Sequence, residues 1–329
     1  KGHVDTPCTP LEQTKCQSTG SATFLELFAK LGGLDPSSVQ SSEDVQAFAG
    51  TLDAIAADVN GGVNGSDVIV QEELQLREKI LDFLDSLTSN VEVTSMSSAA
   101  IRSLASAVKS ISTSTVELTD KSYRSGMNVA KALFTGLSNH TYLASLANLS
   151  SSSSGRRLLG TGSARGELLE SIEATSIATS NLIGKSGDNK TCSRCRQSAD
   201  LIAQAANTIA CLQKAGLADN KTLISVDAFR ATSTYVPVMK TLSSDVTIDL
   251  YDGITAKLPP AAFEDTKSGV GANINIYSYR KDLSECLAHA ETVDNRKVQL
   301  LSKVTELKVI DSFTNGEIQV ENISQGIEI

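Results

Sequence analysis

The hydrophobic period of this chain changes once, near residue 220, and no other feature constrains the fold as much. Before that point apolar residues recur at i, i+3 and i+4; after it they alternate or come in β-branched runs. A period of 3.6 buries one face of a helix and a period of 2 buries one face of a strand, so the order predicts helices first and strands second. With 329 residues and 40% hydrophobic content, the chain has enough apolar material to build cores.

The helical half is clearest from Ser41. Ser41 and Asp44 have capping-box spacing, and Val45, Phe48, Ala49, Leu52, Ile55, Ala56 and Val59 follow at helical intervals until Asn60, Gly61 and Gly62 end the run. Leu74, Leu76, Ile80, Leu81, Leu84 and Leu87 form a second stripe with Glu and Lys opposite. Further helices are expected near 21–33, 97–112, 116–137, 164–184 and 196–216, and their Ala and Ser content predicts closely approaching axes in a thin bundle. Strands are expected at 223–231, 246–250, 254–258, 270–279, 304–310 and 318–323, with a short helix at 282–291. The expected organisation is a linker over 1–20, a helical subdomain over 21–220 and a β-rich subdomain over 221–329. The fold class is α+β, a helical bundle followed by an antiparallel β-sandwich.

Composition narrows the function. A net charge of −9 gives no basic face for phosphate backbones or anionic lipid, which speaks against nucleic acid and membrane surfaces as partners. No tryptophan, 4% aromatic residues and three scattered histidines leave no group of side chains that supplies both a base and a nucleophile, so no catalytic residue and no cofactor is expected. No apolar stretch reaches the ~20 residues of a membrane span. Lys1 at the start leads us to expect a segment of a longer protein.

Six cysteines and six N-x-S/T sequons are permitted together in a secretory compartment. The cysteines are Cys8, Cys16, Cys192, Cys195, Cys211 and Cys286; the sequons begin at Asn64, Asn139, Asn148, Asn189, Asn220 and Asn322. If one helix holds both Cys195 and Cys211, they stand about 24 Å apart and cannot pair. The expected bridges are Cys8–Cys16, Cys211–Cys286 and Cys192–Cys195, the alternative exchanging partners between the last two pairs. A zinc set of Cys192, Cys195, Cys286 and His289 has suitable local spacing, but the oxidising compartment favours disulfides, so no metal is expected. A redox use of Cys192 and Cys195 lacks the preceding strand. Gly160, Gly162 and Gly166 imitate a dinucleotide loop but follow a serine run rather than a strand, and are expected to form a flexible loop. Asp245, Asp249, Asp252, Glu264 and Asp265 lack calcium-loop spacing. Arg156 and Arg157 are expected at a solvated loop tip.

Residues 254–279, ITAKLPPAAFEDTKSGVGANINIYSY, run as strand, Leu-Pro step, small residues, Phe263 and a strand ending in aromatics. This resembles the β-subdomain of GAIN domains, the juxtamembrane extracellular domains of adhesion receptors and receptor-type polycystins, and GEIQVENISQGIEI at 316–329 is similar to that family's later strand pair. The resemblance implies subdomains A and B in helix-then-sheet order, and a role in adhesion, force transmission or anchoring. The implied partners are other extracellular protein domains, its own membrane-spanning region or filament subunits. The family's cleavage segment, with paired cysteines and a His-[LI]-[ST] tripeptide, is missing, so the sheet is expected to be incomplete at Ile329. His140-Thr141 is the one His-Thr pair, and it falls in the helical half. The serine run from Ser150 followed by Arg156 to Leu159 is similar to green-algal sequences, which with the polycystin resemblance implies the ciliary surface. The alternative is a structural subunit of an extracellular filament, mastigoneme-like, or of a cell wall.

Overall fold

The computed structural model describes residues 24–61, 67–113, 118–151, 160–184, 192–219, 221–236, 245–249, 255–260, 272–279, 305–311 and 317–318. Among them lie eight α-helices: α1 (Phe24–Gly32), α2 (Ser42–Gly61), α3 (Asp67–Asn90), α4 (Ser98–Ser112), α5 (Asp120–Leu137), α6 (His140–Ser151), α7 (Gly160–Gly184) and α8 (Cys192–Lys214). The strands are β1 (Lys221–Ser225), β2 (Phe229–Val236), β3 (Val246–Asp249), β4 (Thr255–Leu258), β5 (Ala272–Tyr279), β6 (Thr305–Asp311) and β7 (Glu317–Ile318).

The Ser41–Asp44 capping box forms in both directions. Ser41 N–H donates to Asp44 Oδ2 at 3.1 Å, and Asp44 N–H donates to Ser41 Oγ at 3.1 Å. The seven apolar positions read from Val45 to Val59 are all buried, as are Leu76, Ile80, Leu81, Leu84 and Leu87 of α3. Burying each of the Val, Leu, Ile and Phe side chains among these stabilises the fold by about 1.5–3 kcal/mol, and each alanine by less. Caps of the same kind start α4, where Ser97 Oγ accepts from Ala100 N–H, and α5, where Thr119 Oγ1 accepts from Ser122 N–H.

Extensive helix contacts skip along the sequence: α2 lies on α4, α3 on α5, and α4 on α7, while α5 touches both α7 and α8. Small residues permit the close approaches. Gly126 of α5 faces Leu182 of α7, and Gly136 faces Val93, where a Cβ would overlap the valine side chain. Along α7, Ser171, Thr175, Ser176, Thr179 and Ser180 are buried. Three of these hydroxyls donate one turn back: Ser171 to Glu167 O, Thr175 to Ser171 O and Thr179 to Thr175 O, at 2.6, 2.7 and 2.8 Å. A hydroxyl so bonded can be buried at little cost.

The strands do not form the expected sandwich. They make one five-stranded antiparallel sheet, ordered β1-β2-β5-β6-β7, and a separate β3–β4 hairpin. One face of the sheet packs on α8, which touches both β2 and β5. A helix can cover that face because α8 brings the amides of Asn207 and Gln213 to its polar residues. A single cluster of buried apolar side chains runs from Leu27 of α1 to Tyr279 of β5.

Two further expectations need correction. The stretch read as one strand, 223–231, is a hairpin: β1 and β2 are joined across Val226–Ala228, with Val226 N–H donating to Phe229 O at 3.1 Å. Helix α6 fills part of the interval left between the helices ending at 137 and starting at 164. Gly160, Gly162 and Gly166 lie within the first turns of α7 rather than in a loop, so they form no phosphate cradle. Among the described residues no helix is long and apolar enough to cross a membrane. The linker 1–20, the helix expected at 282–291, Phe263 of the resembling stretch and the Arg156–Arg157 pair lie outside the described residues.

Candidate functional site

The place where helices meet sheet is built from α8 outward. Its last turn ends at Gly216, whose φ of 71° suits glycine. Leu217 N–H bonds Leu212 O at 2.8 Å and Gly216 N–H bonds Gln213 O at 3.0 Å, the double closure of a Schellman motif, and the chain then turns directly into β1. This leaves Gln213, on the final turn, against the sheet. Its Nε2 donates to Asp219 O at 2.8 Å and to Ser233 O at 2.9 Å, and its Oε1 accepts from Ser233 Oγ and from Asn273 Nδ2, both at 3.0 Å. One turn and a half earlier, Asn207 Oδ1 accepts from Asn275 Nδ2 at 2.8 Å.

The register explains why these groups coincide. Ser233 stands opposite Asn275 and Tyr235 opposite Asn273, so the odd-numbered residues of β2 and β5 share the face toward α8. All eight residues of β5 are buried, which puts Asn273 and Asn275 in the interior and leaves Ile274 and Ile276 buried on the other face. A buried amide costs on the order of 1–3 kcal/mol if unpaired, so the seam holds α8 at one rotation and one height on the sheet. Ser180 of α7 adds a second fastening by accepting from Ala228 N–H at 3.0 Å, in the β1–β2 turn.

A second buried polar cluster lies in the helical layers. Arg77 of α3, 1% exposed, pairs with Glu73 at 2.7 Å, donates to Ile111 O at 2.7 Å and to Asn60 Oδ1 at 2.7 Å, and Asn60 Nδ2 donates to Ser110 O at 2.7 Å. The guanidinium thereby satisfies carbonyls at the end of α4 and ties them to α2. Burial pulls the Arg77 pKa down and the adjacent Glu73 opposes this. On the surface beside it, Lys121 pairs with Glu78 and Asp82, and burial raises the Asp85 carboxyl, aided by Asp82. Burial and nearby Glu167 push the Tyr142 phenol up to about 12, and its hydroxyl has no hydrogen-bond partner among the described residues.

The cysteines divide. Cys195, buried at the start of α8, is disulfide-bonded. Cys211 is a free thiol, half-buried against the core, with its pKa pushed up by burial. The expected Cys211–Cys286 clamp is therefore corrected: hydrogen bonds from α8, rather than a bridge at Cys211, fasten the junction. The bonded state of Cys195 also removes it as a thiolate for zinc. Among the described residues no group of three His, Cys, Asp or Glu could hold a metal ion. Cys192 is the first residue of α8. Cys8, Cys16, Cys286 and His289 lie outside the described residues.

Of the sequon asparagines, Asn139 is exposed between α5 and α6 and Asn148 lies within α6, whereas Asn64, Asn189, Asn220 and Asn322 are outside the described residues. Asp245 is exposed and Asp249 ends β3; Asp252, Glu264 and Asp265 are outside. Sequence reasoning missed both buried clusters. The signals present were the i, i+4 spacing of Glu73 and Arg77 and the alternation of Asn with Ile in β5, neither of which reveals what lies across from it. No protein-family model matches the chain, and no curated protein matches it.

Proposed function

We propose that this chain is a non-catalytic extracellular module of a polycystin-like or adhesion-type surface protein, which transmits force and presents surfaces to neighbouring protein domains. The observation that carries the reading is the α8–sheet seam. A pull that separates the sheet from the helices has to break the Gln213, Asn273 and Asn275 hydrogen bonds of this seam. Bonds loaded in parallel within a low-dielectric interior resist such a pull better than the same bonds opened one at a time. The disulfide at Cys195 and the exposed sequon at Asn139 support an oxidising, glycosylating compartment. The test is single-molecule pulling with handles at the two chain ends. Gln213→Leu is expected to lower the rupture force of sheet from helices while the protein still folds. Equal forces for the two proteins, or a substrate turnover that one Ser or Asp substitution abolishes, would sink the reading.

A further inference from the structure

We propose that Asn139 is an N-glycan acceptor whose side chain does two tasks at once, carrying the sugar on Nδ2 while its Oδ1 caps helix α6; the proposal rests on the extracellular reading above. Asn139 is exposed in the short link between α5 and α6. Its main-chain carbonyl accepts from Leu143 N–H at 3.0 Å, the first bond of the helix, and its Oδ1 accepts from Tyr142 N–H at 3.1 Å. That is N-cap geometry, in which the side-chain oxygen alone is used. Nδ2 makes no hydrogen bond within the described residues, and Thr141, which completes the sequon, is exposed on the first turn.

The chemistry consumes only what the cap leaves over. In N-glycosylation the amide nitrogen attacks the anomeric carbon of an oligosaccharide carried on a polyprenyl diphosphate. A C–N bond forms, the C–O bond to the diphosphate breaks, the nitrogen gives up one proton, and the diphosphate leaves with the electron pair. Oδ1 keeps its lone pairs and its bond to Tyr142 N–H. The neighbouring Ser138 hydroxyl is turned inward, donating to Phe134 O at 2.7 Å and bonded to Thr208 at 2.8 Å, so the link is anchored on one side and open on the other. A bulky glycan at that point extends into solvent without disturbing the packing of α5 on α8.

The full chain, secreted from cultured eukaryotic cells behind an added signal, is treated with peptide N-glycosidase in heavy-oxygen water, which converts each occupied asparagine to a mass-marked aspartate. The peptide containing Asn139 is expected to carry the mark in the parent protein and to lose its glycan in Asn139→Asp, Asn139→Ala and Thr141→Ala. Among these three proteins, alike in lacking a glycan at residue 139, Asn139→Asp and Thr141→Ala keep a capping oxygen and are expected to melt together, with Asn139→Ala about 2 °C lower. An unmarked Asn139 overturns the inference whatever the other sequons do, and equal melting of the three variants overturns the cap. A protein isolated from its own source with no glycan at any sequon would overturn the extracellular reading itself.

Discussion

Arg77 keeps a charge in the interior by meeting three different elements: Glu73 on its own helix, Asn60 from α2 and the Ile111 carbonyl from α4. Such an arrangement need not stabilise more than apolar residues of the same volume, but breaking it from one side strands the rest. Arg77→Met is expected to cost about 3–5 kcal/mol, because it takes the guanidinium away from the buried Glu73 carboxylate, the Asn60 amide and the Ile111 carbonyl at once. Adding Glu73→Leu should recover most of that loss. Urea titration of the two variants checks this, and a double variant no more stable than the single one contradicts it. The Glu73–Arg77 spacing is visible in the sequence; the burial is not, because the groups that permit it come from Asn60 and Ile111, distant in the chain.

Elements were legible where a local signal sets them. The Ser41–Asp44 box and the stripe from Val45 to Val59 placed α2 within a residue or two of its observed start and end. The β1–β2 hairpin escaped because its turn, Val226-Asp227-Ala228, has neither glycine nor proline nor an Asn-Gly pair to mark it. Helix α6 escaped because its apolar residues Tyr142, Leu143 and Leu146 stand in a Ser-rich run that also reads as loop. Glycines within helices show how packing decides an element's tolerance. Gly50 of α2 has open space around it, so Gly50→Ala is expected to raise stability by up to about 1 kcal/mol. Gly136→Ala has the same propensity gain, yet its Cβ would overlap Val93 at the branch of the side chain, and overpacking of this kind costs about 1–3 kcal/mol. Thermal melts of opposite sign are expected for the two variants.

At the scale of the whole molecule, the helix-then-strand order was legible and the layer arrangement was not. Alternation along β5 shows that a strand has two kinds of face, but Asn273 and Asn275 reveal nothing of what covers them until Gln213 and Asn207 of α8 are in place. A period-2 pattern is equally consistent with a second sheet or a helix across the interface, which is why a sandwich was expected and a helix-covered sheet was found.

The skipping order of the helices has a kinetic consequence. Because α2 meets α4, α4 meets α7, and β5 pairs with β2 across an interval that puts Val236 beside Ala272, much of the packing between elements can form only after long loops close. This helix-rich protein is therefore expected to refold on the millisecond-to-second scale of non-local topologies, rather than in the microseconds to milliseconds typical of bundles whose neighbours in sequence are neighbours in space. Stopped-flow circular dichroism after dilution from denaturant distinguishes the two, and full recovery of the helical signal together with native burial inside the mixing time would contradict it.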